Sequence, residues 1–218
     1  MRPVAGRILR TFERKWFMNR YTIPKCSGDS ADWKEVPEVR IAYNLVESPF
    51  PVQASAQMCW SESAIHVLMT AQEEPILARF TGNCDPVCHD SCLEIFLSPI
   101  VGDMRYFNFE FNPNGACYFG FGSGRENLMR LHPWDLQKLL SVKTWREGNR
   151  WGVCFDIPLE TIRLFMPEFT LYEGRRMRGN FYKCCEDLSP THELVWNPIT
   201  NGVSDFHQPE FFGELVLG

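Results

Sequence analysis

The segment Tyr106-Phe-Asn-Phe-Glu-Phe-Asn112 constrains the fold of this chain more than any other. In an extended strand, successive side chains point to opposite faces. Phe107, Phe109 and Phe111 therefore share one face, and Tyr106, Asn108, Glu110 and Asn112 share the other. Three exposed phenylalanines would form a costly apolar patch, so their face belongs to a core. A sheet with a buried face needs a second layer to cover it.

The same period of two recurs along the chain, and helical spacing is scarce. Val52–Trp60 and Ala64–Ala71 flank Ser61-Glu62-Ser63 as a hairpin. Cys92–Leu97 alternates Leu93, Ile95 and Leu97 against Cys92, Glu94 and Phe96. Asn112-Pro-Asn-Gly115 is a turn, from which Ala116–Phe121 runs back. Ser141–Arg146 and Arg150–Ile157 make another hairpin across Glu147-Gly148-Asn149, and Met177–Cys184 and Phe211–Leu217 close the series. One short helix is expected over Leu159–Phe165, opened by Pro158. Many short strands separated by turn residues predict an all-β antiparallel sandwich and argue against a parallel sheet.

At 218 residues, with no linker-like segment and no repeat, the chain reads as a single domain over 18–218. Residues 1–17 carry five basic side chains and one acidic one, with no apolar run for an export signal. They read as a disordered or over-extended tail, and the expected location is the cytoplasm. A formal charge of −5 argues against nonspecific binding to nucleic acid or anionic lipid, and no stretch is apolar enough to span a membrane. Nine cysteines is an odd count, so they cannot all pair within the chain, and reduced thiols are expected. Cys84-x3-Cys88-x3-Cys92, with His89 inside it, fits no zinc-knuckle or iron–sulfur spacing, and no metal is assigned. Cys184-Cys185 reads as structural, its two side chains on opposite faces of a strand.

If Leu93, Ile95 and Leu97 point inward, Glu94 points outward; likewise Arg178, Asn180 and Tyr182 oppose Met177, Gly179 and Phe181. The outer face then gathers carboxylates, amides, a guanidinium and phenols. Planar bidentate groups suit sugar hydroxyls and aromatic rings suit the apolar faces of pyranoses. The alternative from pattern alone is a solvated sheet face of cross-strand polar pairs.

Several segments resemble carbohydrate-binding module family 9. Asp90-Ser-Cys-Leu-Glu94-Ile-Phe96 is similar to the family's D-S-x-E-[IF]-F stretch, and Tyr106–Gly115 to the next strand and turn. Trp196-Asn-Pro followed by Phe206-His-Gln-Pro-Glu-Phe-Phe-Gly213 resembles the C-terminal signature, and Asp32-Trp33 and Gly179–Lys183 also fit. The resemblance runs from about Asp29 to the C-terminus. It implies an immunoglobulin-like β-sandwich, with one or two short helices, that binds a mono- or oligosaccharide, often a chain end, without cleaving it. Carried over by position, Glu94 is a sugar hydrogen-bonder, Asn112 its neighbour on the adjacent strand, and Phe206 the second ring of an aromatic clamp. The first clamp position falls at Cys88, which is not aromatic, and Glu110 replaces the family's strand arginine. Trp60, Trp134 and Trp145 are alternative sources of the missing ring.

The expected ligand-binding set is Glu94, Asn108, Glu110, Asn112, Arg178, Asn180, Phe206 and His207, with no catalytic residue and no cofactor. The resemblance also allows a structural calcium ion, for which Asp29, Asp32 and Asp205 are donors without forming a calcium loop. The competing function is glycoside hydrolysis by Glu94 and Glu110, which needs two carboxylates ~5–10 Å apart across a cleft.

Overall fold

The computed structural model describes residues 18–26, 28, 31–46, 49, 51–132 and 136–218. The tail at 1–17, Asp29 and Trp134 lie outside the described residues. In chain order, the strands are β1 (Arg20–Ile23), β2 (Val39–Ile41), β3 (Tyr43–Val46), β4 (Gln53–Trp60), β5 (Ala64–Gln72), β6 (Cys92–Ser98) and β7 (Tyr106–Phe111). They continue with β8 (Cys117–Gly122), β9 (Met129–Arg130), β10 (Lys143–Glu147), β11 (Arg150–Pro158), β12 (Arg176–Cys184), β13 (Glu193–Val195) and β14 (Gly213–Leu217). Two short helices, α1 (Leu136–Leu139) and α2 (Leu159–Arg163), sit in connections.

The strands form two sheets, one ordered β1-β14-β12-β6-β7-β8-β9 with β13 and β3 attached beside β12, the other β10-β11-β5-β4-β2. They pack face to face as a sandwich. The expected hairpins β4–β5 and β10–β11 are present, and the β6–β7–β8 meander pairs antiparallel in the register that alternation demands. One pairing departs from expectation: β1 lies parallel to β14, Arg20 opposite Glu214.

The core between the sheets takes the inward residues of every long strand. Phe107, Phe109 and Phe111 are fully buried, as are Leu93, Ile95 and Leu97, against Trp151, Val153, Phe155 and Ile157 of β11. Rings interlock across the layers, with Phe111 and Phe155 at 4.3 Å between centroids. At roughly 1.5–3 kcal/mol per buried large side chain, this cluster dominates stability.

The outer face of the larger sheet is not open to water, which corrects the sequence expectation. Phe96, Tyr106 and Tyr182 project outward and are covered by Val87, Phe206 and Phe212 from the connecting segments, making a second, smaller core. All of β6 and β7 is buried. Alternation assigns residues to faces, but three large rings among the polar groups make the outer face apolar enough to recruit cover.

Candidate functional site

Glu94 of β6 and Glu110 of β7 are direct cross-strand partners on this covered face, 3% and 9% exposed. Directly opposed residues have Cβ atoms ~4.5–5.5 Å apart. The Cys184 thiol donates to Glu94 Oε1 at 3.1 Å, and Asn108 Nδ2 donates to Glu110 Oε1 at 3.0 Å. Asn108 Oδ1 is buried without a hydrogen-bond partner among the described residues. Burial first, then Glu110, pushes Glu94 well above the usual carboxylate range. Burial raises Glu110 to about 7, with Asn108, Arg125 and Arg130 pulling the other way and Glu186 adding to the rise. A neutral carboxyl both donates and accepts, so the pair offers both functions at one spot.

The motif residues around the pair divide into those that build the face and those that stay available. Asp90 accepts from the backbone N–H groups of Arg79 and Phe80, from Arg79 Nε and from Asn112 Nδ2. Ser91 Oγ accepts from Leu77 N–H at 3.0 Å. Asp90 and Ser91 thus fasten the 77–80 segment, and Glu94, further along the same stretch, reaches the site.

Asn112 belongs to the same fastening. Its Nδ2 donates to Phe80 O and Asp90, while its Oδ1 accepts from Asn114 and Ala116 N–H. Asn180 is likewise consumed: Nδ2 donates to Asn197 O, and Oδ1 accepts from Asn197 and Phe181 N–H. Arg178 donates to the carbonyls of Glu210 and Phe212. It stands four residues along β12 from Tyr182, the partner of Glu94, or ~13 Å at 3.3 Å per residue. Asn112 and Asn180 therefore have their bonding committed elsewhere, while Arg178, whose buried Nε has no hydrogen-bond partner among the described residues, stands away from the pair.

Phe206 is 9% exposed, with one ring face stacked on Tyr182 at 4.3 Å, and Tyr182 OH donates to its carbonyl. It is a wall of the second core, where an isolated open ring was expected. His207 Nδ1 lies 2.7 Å from Tyr106 OH and its ring packs on Phe96 at 4.8 Å. Burial, then Arg125, depresses His207 to about 4.

Of the alternative rings, Trp60 is 2% exposed and donates to Gly218 O, and Trp145 lies over Gly152 on the other sheet. Sequence reading overlooked Tyr118, directly opposite Glu110 on β8 and half-buried beneath Arg130. Its signal is the Ala116–Phe121 strand itself, in which Tyr118 alternates with the inward Cys117 and Phe119. Arg125, bridged to Asp205 at 2.8 Å, was also overlooked.

The three cysteines of Cys84-x3-Cys88-x3-Cys92 do not converge. Cys84 turns to Leu131 O, while Cys92 meets Cys184, its register partner on β12. No disulfide is present among the described residues. Elsewhere, His66 links Asp156 at 2.6 Å and Ser61 at 3.1 Å in the order of a hydrolytic triad. Ser61 is 3% exposed inside the β4–β5 turn, so these bonds clamp a hairpin. A polar hollow of about 490 Å³ on the smaller sheet is lined by Glu38, Arg40, Gln53, Ser55, Thr70 and Gln72, among others, and by no aromatic residue among the described residues.

Comparison with known proteins places this geometry in context. Residues 28–217 match the family model described as carbohydrate-binding family 9. A Bacteroides uniformis protein provisionally described as carbohydrate-binding superposes with a TM-score of 0.78 at 25% identity, over 93% of this chain and 100% of that one. A family 9 module from Caldicellulosiruptor kristjanssonii, solved with glucose, gives 0.63 at 18% identity over 92% and 96% of the two chains. The same organism's module with cellotriose gives 0.64 at 18%, over 91% and 93%. Among curated protein sequences, none matches.

Proposed function

The chain belongs to carbohydrate-binding family 9, and we propose that it binds a saccharide, without cleaving it, at the Glu94–Glu110 pair. The supporting observation is that pair itself: two adjacent buried carboxyls, with Tyr118 directly opposite Glu110 and Tyr182 directly opposite Glu94, and with Arg125 and Arg130 as cations acting on Glu110. Asn108 Oδ1 supplies a further acceptor with no bond to lose. Both carboxyls project side by side from one sheet face, which suits gripping neighbouring hydroxyls. A hydrolase pair flanks the scissile bond from two sides.

Glucose and cellotriose, the sugars in the related solved structures, head the ligands to test, within a wider glycan array. Saturable binding by calorimetry, weakened tenfold or more in Glu94→Gln or Glu110→Gln, is the expected result. Absence of binding to every glycan, or affinity untouched by both substitutions, would overturn the assignment. Chromogenic glycosides should remain intact; turnover lost in Glu94→Gln would assign hydrolysis in its place.

A further inference from the structure

Cys92 and Cys184 face one another across the β6–β12 ladder, on the outer face beside Glu94. The two sulfur atoms and a Glu94 carboxylate oxygen all lie within 4.8 Å of one another, and the three residues are no more than 3% exposed. We propose that Cys92, Cys184 and Glu94 form a preformed site for one soft divalent cation, with zinc the expected occupant.

The argument rests on chemistry and placement. The three ligand groups converge, with the Cys184 thiol donating to Glu94 and to the Cys88 carbonyl. Tetrahedral zinc, with Zn–S about 2.3 Å and Zn–O about 2.0–2.2 Å, sets its donor atoms about 3.3–3.8 Å apart. The observed spacing reaches that with sub-ångström movements of side chains already aimed together. Two thiols select zinc or copper(I) over calcium or magnesium, which take oxygen ligands. Adjacent strands of a sheet covered on both faces hold the ligands, so little reorganisation opposes binding. A second ligand cluster, Cys88, His89 and Glu186, is also within 4.8 Å of one another and partly exposed, and the Cys184 thiol reaches its Cys88 carbonyl.

Loading would release the protons of Cys92, Cys184 and Glu94 and leave one tetrahedral position for water or a ligand. The pairing was hidden in the sequence because 91 residues separate the two cysteines, from 93 to 183.

The test titrates reduced, chelator-treated protein with Co²⁺. One equivalent should give an intense near-ultraviolet thiolate-to-cobalt band, bleached by one equivalent of Zn²⁺. Cys92→Ser and Cys184→Ser should each weaken that band sharply. Glu94→Gln should keep it with at least tenfold weaker affinity, and His89→Ala should leave it unchanged. Because a serine variant could misfold, unmodified protein is also alkylated with and without Zn²⁺ and mapped by mass spectrometry, Zn²⁺ slowing labelling of Cys92 and Cys184 selectively. No saturable band, a band indifferent to Cys184→Ser, or labelling unaffected by Zn²⁺ would overturn the proposal. Saccharide binding, measured with and without Zn²⁺, is a separate readout whose failure leaves the metal result standing.

Discussion

Lys183 Nζ lies 2.9 Å from Glu73 Oε2, and the two side chains are 0% and 1% exposed. Lys183 points inward from β12 of the larger sheet, and Glu73 follows β5 of the smaller one, so the pair ties the layers across the core. Trp151 Nε1 donates to Glu73 Oε1 at 2.7 Å, and Lys183 also reaches His192 Nε2 at 2.9 Å. Removing one partner strands a buried charge, at a cost of about 3–5 kcal/mol. Urea unfolding should show that loss in Lys183→Met and a smaller one in the Glu73→Gln/Lys183→Met double variant than the two single losses combined. Additive losses would mean that the two charges act independently.

His192 tests the same network by pH. Burial, then Lys183, depresses it to about 3, against about 6.5 in an unfolded chain. The unfolded chain takes up this proton near pH 6.5 and the folded protein does not, so the contribution is complete above that pH and lost as pH falls toward 3. Glu94 and Glu110, both raised, act with the opposite sign. The clean readout is therefore a difference: on going from pH 6.5 to 4 the melting temperature of His192→Gln should rise relative to that of the parent. Parallel profiles would exclude the histidine as the cause.

Asn112 separates building from binding. Its four hydrogen bonds hold the 77–80 segment and the 112–116 turn. Asn112→Ala should cost about 3 kcal/mol, since it leaves buried partners unpaired, while the folded fraction keeps its saccharide affinity. An affinity loss at unchanged stability would return Asn112 to the ligand set.

Phe206→Ala removes the stack on Tyr182 and opens the second core, for an expected loss of about 3 kcal/mol in chemical denaturation. Saccharide binding should weaken as well, because the ring stacks on Tyr182, the cross-strand partner of Glu94. Unchanged stability would show that the ring is less embedded than its 4.3 Å contact indicates.

Gly122 is the point where β8 meets the loop carrying Arg125. A Cβ there would strike Asn127 O and come within 2.8 Å of Leu128 Cα, both backbone. Gly122→Ala should therefore displace the 124–128 loop and weaken saccharide binding more than Arg125→Ala does alone. Equal effects would mean that the loop matters only through its guanidinium.

Alternation made the inward half of the fold legible. Phe107, Phe109 and Phe111 face the core, and the β4–β5 and β10–β11 hairpins fall where Ser61–Ser63 and Glu147–Asn149 place them. Strands of two to four residues, such as β9, β13 and β3, are too short to display a period, and α1 is a single turn. The outer face was legible in residue identity but misread in environment. Nothing local to Phe96 or Tyr106 says that Phe206 and Phe212 will cover them, because those residues lie about a hundred positions away. For the same reason, alternation puts Cys92 on the face of Glu94 but gives no sign that Cys184, far along the chain, joins them.

Since β6 and β7 are enclosed on both sides, neighbouring positions in one strand answer to different demands. Ile95 is fixed by packing against the opposite layer, while Glu94 and Phe96 on either side of it answer to the outer face and the segments laid over it. Substitution at every second residue can therefore alter that covered face without renegotiating the scaffold. Such interleaving is compatible with one architecture persisting at 18% identity.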